Sequence, residues 1–275
     1  MHKTVYSAVL ITFFLATAAF FVGCSGDSIG TKTVLDSGIS YTIWRTAGNE
    51  KGANGDIIEF DRQLFIDNKL IANSYTNPLF QEREIVGRIR FEGDFVEVLS
   101  NLSSGDSAEM EFPIARLPET VQKSLGINAQ SAKNLRLIVS VLDVWNETER
   151  INEFTKLVGL NKNWLQLAGG AKMVWDSTTT NAKVEFGDSV ALYVKGYTLN
   201  SQVVYESTKK PIKFEAGSLS GMPTCWETAA LEMRYGEKAT VIAPHHLAFK
   251  DAKAGILKPY SIVVFEIDLL EPGDY

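Results

Sequence analysis

The chain has 275 residues, 45% of them hydrophobic and 22% charged, with 27 Lys and Arg against 33 Asp and Glu for a formal net charge of −6. That length holds one large domain or two of about 100–150 residues, and the acidic balance excludes the basic footprint that binding to a nucleic-acid backbone needs. With 8 Pro and 21 Gly the composition is that of a folded chain rather than a long disordered one.

His2 and Lys3 make a short basic start, followed by an uncharged apolar run from Val5 to Val22 that leads into Gly23-Cys24. This three-part form predicts a secretory signal peptide over residues 1–23. Gly23-Cys24 resembles a lipobox, in which Cys24 is lipidated and becomes the mature N-terminus, and Ser25-Gly26-Asp27-Ser28 reads as the start of a flexible tether over 24–35. Phe21 departs from the usual leucine. The run is also just long enough for an uncleaved membrane anchor. Both readings export the remainder to the cell envelope, with membrane attachment through a lipid or a helix, facing the periplasm or on the outer membrane.

Lipidation of Cys24 leaves Cys225 without a partner, so no disulfide framework is expected, and Cys225 reads as a small buried residue rather than a nucleophile. No metal site is expected either, because the neighbours His245 and His246 would point in opposite directions on an extended segment.

The chain repeats itself. Gly55-Asp56-Ile57-Ile58-Glu59-Phe60 recurs as Gly187-Asp188-Ser189-Val190-Ala191-Leu192, and Leu102 to Asp106 followed by Met110 to Pro113 recurs as Met233 to Glu237 followed by Val241 to Pro244. Leu137 to Val141 then matches Val263 to Ile267. Three matches in one order indicate two copies of a single domain, over 36–146 and 169–275.

Each copy opens on a β-prone segment, Ser40 to Trp44 and Lys172 to Trp175, ahead of a turn and the Gly-Asp strand. Val190, Leu192 and Val194 alternate on one face of that strand in the second copy, and Val203-Val204-Tyr205 continues after the polar turn at Asn200 to Gln202, which predicts antiparallel sheet. Trp226, Ala229, Ala230 and Met233 have the spacing of a short helix with one apolar face, ended by Gly236. Ile262 to Leu270 is apolar enough for a central strand. Between the copies, residues 147–168 predict a connecting helix with its stripe at Ile151, Phe154, Leu157 and Val158, and Gly169-Gly170 a joint.

The order over about residues 169–271 resembles the FKBP family of peptidyl-prolyl isomerases: Gly-Asp strand, polar hairpin, Tyr-Glu-Ser, Pro-Ile-Lys-Phe, Trp helix, Gly-Glu strand, Pro-His-His-Leu-Ala-Phe, Gly-Ile-Leu-Lys-Pro and a final Phe strand. The resemblance implies an α+β fold of two FKBP-like domains, each an antiparallel half-open sheet wrapped around a short helix. It implies an apolar pocket with Trp226 as floor, Tyr205 and Glu206 as its aromatic-acid pair, and Phe249 and Phe265 as walls. Val194, Ile212, Met222, Pro223 and Leu257 would complete the substrate-binding surface. In the first copy Asn73 and Ser74 stand where Tyr205 and Glu206 stand, and Phe95 replaces the tryptophan, so that copy is expected to be structural or substrate-holding.

Rotation about an X-Pro bond passes through a twisted amide that has lost its resonance, against a barrier of about 18–20 kcal/mol. That species has less charge separation than the planar amide, so an apolar aromatic pocket favours it without nucleophile, metal or cofactor. The substrates implied are proline-containing polypeptides. Val194 and Ile212 replace aromatic residues common in the family, Phe249 lacks a tyrosine hydroxyl, and Pro223 stands where the family uses a backbone N–H to hold a substrate carbonyl. Two functions follow: an isomerase, weakened by these substitutions, that assists folding of exported proteins, or a non-catalytic chaperone or envelope-complex binding module.

Overall fold

The computed structural model describes residues 29–76, 81–127, 134–158, 163–218 and 221–274. The expected signal peptide over 1–23 and the expected lipidation site Cys24 lie outside them. Among the described residues no helix is long and apolar enough to cross a membrane.

The first half contains β1 (Lys32–Val34), β2 (Ser40–Arg45), β3 (Ile57–Ile66), β4 (Lys69–Asn73), β5 (Glu82–Ile85), α1 (Val96–Leu99), β6 (Ser107–Phe112), α2 (Glu119–Ser124) and β7 (Leu135–Trp145). Helix α3 (Glu147–Val158) leads to the second half, with β8 (Leu165–Gln166), β9 (Lys172–Ser177), β10 (Ser189–Tyr197), β11 (Val203–Glu206), β12 (Ile212–Glu215), α4 (Thr224–Ala230), β13 (Lys238–Ala243) and β14 (Val263–Leu269).

Each half forms a seven-stranded antiparallel sheet. The orders are β1-β2-β6-β7-β3-β4 with β5 also on β3, and β8-β9-β13-β14-β10-β11 with β12 also on β10. The two orders correspond strand for strand. The turns correspond as well: the Asp56 carboxylate accepts from the Ala53 amide at 2.9 Å and Asp188 from the Glu185 amide at 2.8 Å, while Asp106 and Glu237 each accept from the amide three residues earlier at 2.8 Å.

Val190, Leu192 and Val194 are all buried, as their alternation predicts. They pack with Met173, Val241, Phe265 and Trp226 into the second core, and Ile39, Ile58, Phe60, Met110 and Val139 build the first. β14 is central, flanked by β10 and β13.

Strand pairing corrects the sequence alignment of the copies in two places. Leu64 pairs with Leu137 in the first sheet as Gly196 pairs with Phe265 in the second, so Leu137, not Val139, is the counterpart of Phe265. Gln63 pairs with Asn73 as Lys195 pairs with Glu206, and Leu64 with Ala72 as Gly196 with Tyr205. Ala72 and Asn73, rather than Asn73 and Ser74, therefore stand in place of Tyr205 and Glu206. Ser74 is the counterpart of Ser207: each hydroxyl accepts from the strand amide opposite, Arg62 at 2.7 Å and Val194 at 3.0 Å.

Three boundaries also differ from the sequence reading. Lys32–Val34, within the expected tether over 24–35, pairs with β2 as an edge strand. The connecting helix, expected over 147–168, is helical over Glu147–Val158, and Leu165–Gln166 already pairs with β9. Gly236 does not follow α4 directly but sits at φ 82° in the turn into β13, where its amide donates to Leu269.

Asn146 starts α3, its side-chain oxygen accepting from the Glu149 amide at 3.2 Å. Ile151 is buried with Ile242 and Ile262 of the second half, and Phe154 packs against them. Leu157 and Val158, expected in the same stripe, are exposed.

The halves also meet directly. Ile57 and Trp145 pack against Tyr260. Glu59 accepts from Arg83 at 2.7 Å and from Lys258, and Arg83 also donates to Ser261 at 3.0 Å. Burial pushes the Glu59 carboxyl up, but the charge of Arg83 and the bonds from Lys258 and Arg83 outweigh it and hold the group below its ordinary value.

Candidate active site

Four rings from four elements meet in the second half. Trp226 comes from α4, Tyr205 from β11, Phe265 from β14, and Phe249 from the segment after the 3₁₀ turn at His245–Leu247. Their centroids form a closed circuit: Tyr205 to Trp226 at 5.2 Å, Trp226 to Phe265 at 5.5 Å, Phe265 to Phe249 at 5.6 Å and Phe249 to Tyr205 at 5.9 Å. Each contact is in the range of favourable aromatic pairs, worth about 0.5–1.5 kcal/mol beyond burial. Trp226 and Phe265 are buried, whereas Tyr205 and Phe249 are half-exposed. The circuit is therefore a bowl whose two floor rings, Trp226 at 2% and Phe265 at 0% exposure, lie covered beneath the two rim rings.

Local chemistry fixes each wall. Gly196 on β10 leaves room for the floor: a Cβ there would lie 3.0 Å from the Phe265 ring and 3.3 Å from the Tyr205 Cβ. Just past Tyr205, the Ser207 hydroxyl accepts from the Val194 amide, and the Ser207 amide donates to the Val194 carbonyl at 2.8 Å. Phe249 is held by its neighbour Lys250, at φ 56°, whose amide donates to His245 and whose carbonyl accepts from Tyr260. The sequence alone assigns no role to Gly196, or to Ser207 beyond its place in the Tyr-Glu-Ser run. A glycine opposite an aromatic on the next strand is the signal that marks Gly196, and it becomes readable only once the register is known.

Of the ten residues expected at the site, eight share one apolar cluster. Val194, Leu257, Trp226 and Phe265 are buried in it, and Tyr205, Ile212, Met222 and Phe249 pack against it half-buried. Glu206 does not join them: it is exposed and accepts from the Thr208 hydroxyl at 2.8 Å. Alternation explains this, since neighbours in a strand face opposite ways. Pro223 occupies the N-cap of α4, three residues before Trp226, and its carbonyl accepts from the Trp226 amide at 3.0 Å. It has no N–H to offer a substrate. Cys225 is fully buried, and burial pushes its thiol far up, out of the range of a thiolate nucleophile.

The counterpart positions of the first half hold Leu64, Ala72, Phe95 and Leu137. Leu64 is buried at the position that corresponds to Gly196, while Phe95 meets Phe60 edge-on at 6.1 Å. Ala72 takes the place of Tyr205, so that rim position carries no ring.

One expectation fails on local geometry. His245 and His246 do not lie on an extended segment but on a 3₁₀ turn, so their rings do not diverge: the centroids are 5.5 Å apart.

Residues 180–270 match the family model of the FKBP-type peptidyl-prolyl cis-trans isomerases. All four rings of the bowl lie within that span. The chain is 27% identical to FK506-binding protein 2B of Rhizopus delemar over 127 residues, covering 44% of this chain and 60% of the relative. It is 32% identical to the human peptidyl-prolyl cis-trans isomerase FKBP14 over 94 residues, covering 32% of this chain and 44% of the relative. The chain thus spans about half the length of these curated relatives. Among solved structures, a peptidyl-prolyl cis-trans isomerase from Pseudomonas syringae aligns at 23% identity and a TM-score of 0.38, covering 46% of this chain and 92% of that one. The three FKBP domains of wheat FKBP73 align at 14% identity and a TM-score of 0.37, covering 86% of this chain and 95% of that one.

Proposed function

We propose that this chain is a peptidyl-prolyl cis-trans isomerase whose catalytic domain is the FKBP-like second half, acting on proline-containing segments of exported polypeptides at the cell envelope. The closed circuit of Tyr205, Trp226, Phe265 and Phe249 carries this reading. Outward movement of the half-buried rim rings Tyr205 and Phe249 uncovers Trp226 and lets a prolyl ring seat on it, with its amide at the apolar rim. Water excluded there no longer stabilises the charge-separated planar amide, which lowers the twisted form relative to it. Catalysis is weak, because Pro223 and Phe249 each withhold a donor worth about 0.5–1.5 kcal/mol.

The first half is a divergent FKBP-like copy without a prolyl site, with Leu64 in place of Gly196, and serves as a rigid partner that holds the second half and its clients. Lipidation at Cys24 tethers both to a membrane.

The test is a titration of the full chain with a short X-Pro peptide, followed through the indole N–H resonances of its five tryptophans. The Trp226 resonance shifts and saturates, and Tyr205→Ala weakens the effect. Perturbation confined to other tryptophans would contradict the assignment.

A further inference from the structure

We propose that Glu147, His245 and His246 form a binding site for a divalent transition-metal ion of the zinc type, which fastens the connecting helix to the second domain. Each residue offers one ligand atom, and these atoms all lie within 4.8 Å of one another. A tetrahedral zinc ion with ligands at about 2.0–2.2 Å needs donors about 3.3–3.6 Å apart, so the most distant pair closes by up to about 1.2–1.5 Å, a movement that rotation of the exposed His246 side chain supplies.

The site is assembled by two different elements. Glu147 is the first residue of α3, and the histidines follow Pro244 at the end of β13. The His245 Nδ1 lies 3.0 and 3.1 Å from the two Glu147 oxygens, so ring and carboxylate already face each other. Glu147 Oε1 also accepts from the His245 backbone amide at 2.7 Å. That bond orients the carboxylate independently of the ring, as outer contacts do for metal ligands. The tight turn brings the His246 ring to the same side, edge-on to His245.

Two imidazoles and one carboxylate suit Zn²⁺ or Co²⁺, whereas Ca²⁺ and Mg²⁺ require oxygen donors throughout. Three protein ligands leave a fourth position, and His246 is exposed, so the ion has access from solvent and a water completes the tetrahedron. The ion would do structural work. His245 also stacks edge-on against Tyr260 at 5.3 Å, and Tyr260 packs on Ile57 and Trp145 of the first half. A metal at His245 therefore stiffens the point where helix, first half and second half converge.

The test is a titration of the untagged full chain with Co²⁺ alone, read by the visible absorption of tetrahedral cobalt and followed by displacement with Zn²⁺. Saturation at one ion per chain is expected, with affinity at least about tenfold weaker in His246→Ala and in Glu147→Gln. His246 is exposed, so its replacement leaves the fold intact, as far-ultraviolet circular dichroism will verify. Absence of saturable binding by the folded chain, or equal affinity in the wild type and both site variants, overturns the proposal.

Discussion

Gly196 faces Phe265 across β10 and β14 with no space for a side chain between them, and its counterpart in the first half is the buried Leu64. One position thus separates a strand that carries an aromatic ring against its backbone from one that carries its own aliphatic side chain. Gly196→Leu should close the bowl, abolish peptide binding and cost about 1–3 kcal/mol of stability through overpacking. Denaturant unfolding and peptide titration read the two effects separately. Retained binding by a folded Gly196→Leu chain would show that the bowl is not the peptide site.

The contact between the halves should weaken in acid. Glu59 is held below the ordinary carboxylate value of 4.5 in the folded chain, so its contribution is complete above that value and fades as pH falls through the lowered one. In Glu59→Gln the charge-assisted bonds are lost at every pH, costing about 1.5–3 kcal/mol near neutrality. The wild type should therefore lose its advantage over the variant below about pH 4.5, measured by urea unfolding at stepped pH. A difference independent of pH would refute the role given to Glu59.

Cys225 should be inert in the native state. It is fully buried and its thiol is pushed up by burial, so a thiol reagent should label it only as fast as the chain unfolds. Labelling kinetics of a Cys24→Ser chain across denaturant concentrations measure this. Rapid modification of the folded protein would show that the core around α4 opens.

Much of the architecture is legible in the sequence because burial alternates along the strands: Val190, Leu192 and Val194 announce a strand, and Trp226, Ala229 and Ala230 a helix face. Register is less legible. Sliding the final strand by two residues keeps every side chain on its own face, so the pattern alone does not distinguish Leu137 from Val139 as the counterpart of Phe265. Hydrogen bonds decide it, as they decide that Ser74 corresponds to Ser207. The rings of the site are readable from their order along the chain, but Gly196 is not, since its role depends on a residue in a distant strand. The exposed position of Glu206 follows from alternation once β11 is fixed. The facing of His245 and His246 depends on a turn of three residues, too short to leave a periodic signal.

The central claim is tested most directly by protease-coupled X-Pro isomerisation with the full chain and its Tyr205→Ala and Trp226→Ala variants, each first shown to be folded by near-ultraviolet circular dichroism. Catalysis above the uncatalysed rate by the wild type, lowered at least about tenfold in both variants, corresponds to a loss of about 1.4 kcal/mol or more of transition-state stabilisation and is the result expected. No acceleration by the folded wild type, or equal acceleration by folded Trp226→Ala, would contradict an isomerase built on this bowl.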